Sequence, residues 1–263
     1  MRSTRGTLLV AAGVALAATS LVSFVIGRGT TRQVGAAWLA LAALLTLGLF
    51  VYTGAFAAEN RSPTTHQRYD WIGLPTAVTL FRGTIIAWVG GLVAFVVLGE
   101  SSSLWAWFAA IGYGIAAALD SVDGALARRT NRVTVLGSRL DMTVDALGLI
   151  VAPLAGVALG QLPWWYLSVG VARYVFVAGL WWRHRVGKPT FELPPRESRR
   201  VLAGLQMAFV PVALAPGIAD EWIPSVAALA AGGLLLGFAR DWLYVSGRLG
   251  EPARQSTPTP AEE

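Results

Sequence analysis

The chain has 263 residues, of which 55% are hydrophobic and 14% charged, against about a quarter charged in an ordinary soluble domain. That balance excludes a disordered or fibrous protein and argues against a water-soluble globule. The absence of cysteine removes disulfides, thiolate metal sites and cysteine nucleophiles, and the only two histidines, His66 and His184, lie too far apart in sequence to suggest a histidine-rich metal site. The formal charge is +6 with a pI near 10.3 and a mean hydropathy of +0.57. In so apolar a chain, the basic excess is assigned to cytoplasmic loops and anionic lipid headgroups rather than to nucleic acid.

A helix needs about 20 mostly apolar residues to cross a bilayer. Stretches of that kind run at 7–27, 36–58, 78–99, 103–119, 135–160, 163–182, 201–218 and 222–246. They predict an all-α polytopic membrane protein. Polar breaks fall at Arg28 to Arg32, Glu59 to Asp70, Glu100 to Ser103, 120–134, Gln161 to Pro163, the basic run 183–200, and Asp220-Glu221. Arg2 and Arg5 before the first span also fit a signal peptide. Its apolar stretch is longer than a signal core and no small-x-small cleavage site closes it, so it is read as a retained anchor. From Gly247 the chain turns rich in Pro, Thr, Gln and Glu, the composition of a disordered tail.

With the N-terminus inside, the cytoplasmic segments hold Arg2, Arg5, Arg61, Arg68, Arg128, Arg129, Arg132, the cluster from Arg183 to Arg200, Arg248 and Arg254. The outer loops hold Arg28 and Arg32 alone. The asymmetry fits the positive-inside rule and places the 120–134 region on the cytoplasmic side. Trp71, Trp164, Trp165, Trp181, Trp182 and Trp222 fall near span ends, as an interfacial belt would.

Asp120, Asp123, Asp141 and Asp145 sit where the hydrocarbon should begin. A charged aspartate at mid-helix costs about 2.5–3.5 kcal/mol even on the lenient insertion scale. Four together therefore require an aqueous cavity and cations. On a helix Asp120 and Asp123 are i and i+3 and share a face. Gly137, Asp141 and Asp145 form one stripe on the next helix. The short Arg128–Thr134 stretch lets the two pairs oppose each other. All-oxygen ligation suits Mg²⁺ or Mn²⁺, and two such ions would clamp a diphosphate. Gly124 and Gly137 leave room for a phosphate or nucleotide at the backbone, and Arg128 offers a planar cation to a phosphate oxygen.

The run Asp120-Ser121-Val122-Asp123-Gly124-Ala125-Leu126-Ala127-Arg128, followed by Gly137, Asp141 and Asp145, resembles the signature of the CDP-alcohol phosphotransferase (CDP-alcohol phosphatidyltransferase) family at every fixed position. The resemblance implies a six-helix catalytic core, here 74–247, with the signature bridging its second and third helices. Residues 1–73 then add two N-terminal transmembrane helices and a cytoplasmic linker, and 248–263 form the tail. Pro75 to Arg82 looks like the family's opening segment, with Thr76 where Asn is usual.

What the resemblance implies is transfer of a substituted phosphate group from a CDP-linked donor to an alcohol acceptor, with release of CMP. Lateral access from the bilayer favours CDP-diacylglycerol as that donor, with a soluble CDP-alcohol as the alternative. Asp120, Asp123, Asp141 and Asp145 would hold two Mg²⁺ or Mn²⁺ ions, and Asp145 would be the general base. Gly124, Ala127, Arg128 and Gly137 would line the nucleotide site. Arg173-Tyr174 and Glu197-Ser198-Arg199-Arg200, with Gln206, look like acceptor-pocket positions. The favoured acceptor is a phosphorylated polyol such as glycerol 3-phosphate or inositol phosphate, which Arg forks serve well. A homodimer in the bacterial inner membrane follows by analogy. Two other readings remain open from the residues alone. A divalent-cation carrier would leave Gly124, Ala127, Arg128 and Gly137 without a role, and a Mg²⁺-dependent prenyltransferase would need a second acidic motif that the chain lacks.

Overall fold

Among the described residues, three helices open on a side-chain cap that satisfies an otherwise free backbone N–H. Thr31 accepts from Val34 N, Ser102 from Leu104 N, and Thr134 from Gly137 N. Two more, α3 and α9, open with Pro75 and Pro224 in the first turn, where a missing N–H costs nothing. The structure, a computed structural model, describes residues 4–100, 102–130, 132–193, 197–217 and 221–249, except for the side chains of Glu197 and Arg200. Among these the chain forms α1 (Thr4–Gly29), α2 (Arg32–Ala55), α3 (Leu74–Gly91), α4 (Val93–Val97), α5 (Ser103–Arg129), α6 (Val135–Ala158), α7 (Leu167–Arg185), α8 (Glu197–Leu214) and α9 (Ile223–Val245). The described residues include no strand; Arg61 and Arg68 form an isolated bridge.

Among the described residues, six helical segments are long and apolar enough to cross a membrane: α1, α2, α3 continued by α4, α5, α6 and α9. The chain is therefore a multi-pass membrane protein. Helices α7 and α8 fall short of that standard, whereas the sequence predicts eight spans. Arg173 and the terminal Arg183, His184 and Arg185 dilute α7, and the apolar part of α8 is only Val201–Leu214. The expected break at 120–134 also differs, because α5 runs unbroken to Arg129. The aspartates are accommodated within the helix by ion pairing, so no interruption is needed there. The expected tail and Asp220 fall outside the described residues, apart from Arg248 and Leu249.

Helix α3 is the central strut, with α2, α5 and α6 packed around it. Helices do not associate in lipid by the hydrophobic effect, so close packing and hydrogen bonds must hold them. A Cβ at Gly91 would come within 2.7 Å of Trp38 Nε1, and one at Gly83 within 2.5 Å of Leu49 Cδ2. These glycines let α2 lie directly against α3. Trp38 Nε1 donates to Trp88 O at 3.0 Å, and Trp88 Nε1 donates to Thr19 Oγ1 of α1 at 2.9 Å. The two N-terminal helices are thus stitched to the central helix by both tryptophans. On the other flank, a Cβ at Gly170 would meet Leu149 O at 2.6 Å, so α7 rides close upon α6.

The segment from Phe56 to Gly73 is a compact tie. Asn60 is buried, and its Nδ2 lies within hydrogen-bond reach of Thr4 Oγ1, Tyr69 O and Trp71 O. Val135 N donates to Arg61 O at 3.0 Å. Glu59 receives a two-pronged ion pair from Arg139 at 2.7 and 3.0 Å, with the guanidinium over the Phe56 ring. The loop therefore joins the N-terminal helices to the start of α6.

Candidate active site

Helix α3 presents Thr76, Thr79 and Arg82 at spacings that share a face, toward the carboxylates of α5 and α6. Arg82 is only 2% exposed. Its Nη1 lies 2.5 Å from Asp120 Oδ1 and 3.2 Å from Asp123 Oδ2. Its Nη2 lies 3.1 Å from Asp141 Oδ1 and hydrogen-bonds Asp145 Oδ1. The Thr79 hydroxyl donates to Asp123 Oδ2 at 2.9 Å. One guanidinium thus gathers all four aspartates, in the fork geometry that arginine alone provides.

One cation against four carboxylates leaves a surplus of negative charge inside a membrane protein. Asp120, Asp141 and Asp145 each place an oxygen within 4.8 Å of the others. Octahedral and larger shells around hard divalent cations, with bonds of about 2.0–2.6 Å, span that distance. Asp141 Oδ1 is buried and has no partner in hydrogen-bond geometry, despite its ion-pair contact with Arg82. The oxygen-only donor set, the surplus charge and the under-satisfied oxygen fit a hard divalent ion. Asp123 stands outside the trio, held by Thr79 and Arg82.

Beside the aspartates lies an open cleft of about 180 Å³. Gly124, Ala127, Arg128 and Gly137, the expected nucleotide residues, all line it, together with Asp123, Asp141, Thr76, Thr79 and Arg132. A Cβ at Gly137 would approach Thr134 Oγ1 to 2.9 Å. Glycine there therefore also protects the hydroxyl that caps α6. A second, much narrower space of about 10 Å³ lies on the Asp145 side, lined by Arg82, Tyr113, Asp120, Asp145, Gly148 and Met207 among others. Asp120 and Asp145 face this inner space, whereas Asp123 and Asp141 face the outer cleft.

Of the expected acceptor residues, Arg173 and Arg199 line neither space. Arg199 makes a two-pronged ion pair with Asp241 at 2.7 and 2.9 Å, tying α8 to α9. Arg173 is half-buried on α7, and the Arg200 side chain lies outside the described residues. Gln206 is fully buried, accepting from the Tyr166 hydroxyl and donating to Ala230 O. Tyr174 donates to Ala146 O. Arg82, Thr79 and Arg132 are site residues to which sequence reasoning gave no role. A lone arginine in an otherwise apolar helix was a signal for the first, since such a charge must find carboxylates.

An all-helical membrane protein with clustered carboxylates beside a glycine-lined cleft is the class this geometry defines. The CDP-alcohol phosphatidyltransferase profile matches residues 72–238, and the chain belongs to that family. Among its relatives, cholinephosphotransferase 1 of Xenopus laevis is 31% identical over 97 residues, 35% of this chain and 24% of that protein. Cholinephosphotransferase 1 of Danio rerio is 29% identical over 155 residues, 52% of this chain and 41% of that protein. The CDP-diacylglycerol–glycerol-3-phosphate 3-phosphatidyltransferase of Yersinia pestis (strain Pestoides F) is 34% identical over 122 residues, 44% of this chain and 63% of that protein. The matches thus span less than two thirds of each relative's length. No solved structure matches the chain.

Proposed function

We propose that this protein transfers a phosphatidyl-type group from CDP-diacylglycerol to an alcohol and releases CMP. The observation that carries the reading is the convergence of Asp120, Asp141 and Asp145 oxygens within 4.8 Å, beside the cleft that the signature residues line. Family membership makes this chemistry the leading reading over a cation carrier or a prenyltransferase.

In this mechanism the acceptor hydroxyl oxygen attacks the β-phosphorus of the donor. The new P–O bond forms as the bond to the CMP oxygen breaks, and the hydroxyl proton passes to Asp145. Two Mg²⁺ or Mn²⁺ ions, when bound, supply charge stabilisation to the diphosphate. Asp120, Asp123, Asp141 and Asp145 would hold them. Arg128 would bind a phosphate oxygen, while Gly124, Ala127 and Gly137 would leave room beside it, having no side chain larger than a methyl group. Arg82 is a positioning residue in this scheme, fixing the relative placement of the carboxylates on α5 and α6. Its contact with Asp145 holds that carboxylate in one orientation before the acceptor arrives.

The favoured acceptor is a phosphorylated polyol such as glycerol 3-phosphate. The basic run 183–200 and the similarity to the Yersinia relative support it. The distribution of arginine and lysine among the loops supports a cytoplasmic active site in a bacterial inner membrane. The test is CMP release by the purified full chain in lipid, with CDP-diacylglycerol, Mn²⁺ and a panel of acceptors. Release that depends on one acceptor and disappears in Asp145→Asn is the expected result. Metal binding without CMP release from any acceptor would sink the reading.

A further inference from the structure

Arg132 lies outside the signature, yet its side chain helps to wall the outer cleft. Its guanidinium sits 3.9 Å from the Trp71 ring centroid and 4.9 Å from that of Tyr69, close enough for cation–π attraction to both. Arg132 Nη2 donates to Trp71 O at 2.9 Å. A Cβ at Gly73 would come within 2.9 Å of Arg132 Cδ and Nε, so only glycine lets the stem lie along that backbone. At its own backbone, Arg132 N donates to Ala127 O, fixing the residue to the end of α5.

This much anchoring is unusual for an arginine that meets no carboxylate among the described residues. The Nε is buried and has no hydrogen-bond partner among the described residues, and a buried donor left unpaired costs about 1–3 kcal/mol. The cleft is also divided by charge. Asp123 and Asp141 supply its anionic part, and Arg128 and Arg132 its cationic part. Such a cleft suits an anion that arrives with divalent cations: the carboxylates take the cations and the arginines take the anionic oxygens.

We propose that Arg132 is a donor-binding residue, taking an oxygen of the nucleoside diphosphate, with Tyr69 and Trp71 as its positioning residues. The assignment rests on the donor reading given above. It also gives the N-terminal segment a role at the site. Asn60 Nδ2 reaches Tyr69 O, Trp71 O and Thr4 Oγ1, so the wall that holds Arg132 is itself held at the start of α1.

The test measures CDP binding and Mn²⁺ binding by the full chain in detergent, together with KM for CDP-diacylglycerol. Arg132→Ala weakens CDP binding and raises KM by about tenfold or more, as expected for a lost charge-assisted hydrogen bond, while Mn²⁺ affinity stays unchanged. Arg132→Lys keeps the charge but loses the fork and the flat stacking, and gives an intermediate KM. Trp71→Ala weakens CDP binding in the same direction, and the Arg132→Ala, Trp71→Ala double variant is no worse than Arg132→Ala alone. Undiminished CDP affinity in both Arg132 variants overturns the assignment while leaving the donor reading intact. Parallel losses of thermal stability, Mn²⁺ affinity and CDP affinity also overturn it, since they describe a purely structural pin. A wild-type chain that binds Mn²⁺ but no CDP overturns the donor reading and this assignment together.

Discussion

Arg82 and Asp145 occupy the same contact but answer to different demands. Asp145 is assigned the acceptor's proton, and a positioned base contributes roughly 10²–10⁴-fold to rate. Asp145→Asn should therefore lower CMP release by about that factor, measured under saturating donor, with the chain still folded by size-exclusion profile. Arg82 instead balances charge. Arg82→Leu leaves four carboxylates facing one another without their shared cation, and breaking a buried ion pair costs about 3–5 kcal/mol. The variant should melt well below wild type in EDTA and recover much of the difference in Mn²⁺, because a divalent ion takes over the lost neutralisation. Equal melting of the two proteins in EDTA would contradict this account of Arg82.

At the level of helices, the contact between α2 and α3 depends on glycines with no space beside them. Gly91→Val would drive a branched side chain into the Trp38 indole. Overpacking of this kind costs about 1–3 kcal/mol, to be read from thermal unfolding in detergent. Gly48→Val, with nothing near its Cβ, is the matched control and should leave the melting temperature close to wild type. The helices themselves were largely legible in the sequence, because apolar runs and the polar breaks between them are local signals. The aspartate stripes were legible for the same reason, as i, i+3 and i, i+4 spacings survive folding unchanged. The path of α5 through Asp120 to Arg129 was not, since hydropathy reads the acids as an interruption and cannot see Arg82 across the helix interface. Nor could composition show that Arg199 is taken up by Asp241, or that Gln206 is enclosed by Tyr166 and Ala230. Those outcomes depend on partners 24 to 42 residues away in sequence. The N-terminal tie fell outside sequence reasoning as well, because Asn60 gains its meaning only from three partners brought to it by the fold.

Over the whole molecule, apolar side chains cover the outside. Leu9, Val10, Leu21 and Phe24 of α1 and Leu229 and Leu236 of α9 are all more than half exposed, the surface expected of a protein whose solvent is lipid rather than water. Between the helices, Arg82 and the four aspartates gather in one cluster, so ligands of that cluster should raise global stability. At Mn²⁺ about a hundredfold above its Kd, binding to the folded state alone contributes about 2.7 kcal/mol. The full chain should melt at a higher temperature in Mn²⁺ than in EDTA, and Asp141→Asn should shrink that difference. The order of the charges along the chain carries a further consequence for biogenesis. Synthesis proceeds from the N-terminus, so Arg82 on α3 emerges before Asp120 and Asp123 on α5, and these before Asp141 and Asp145 on α6. Each acidic helix thus reaches the bilayer with its counter-charge already made, and the nascent protein can bury its clustered aspartates before it meets a metal ion.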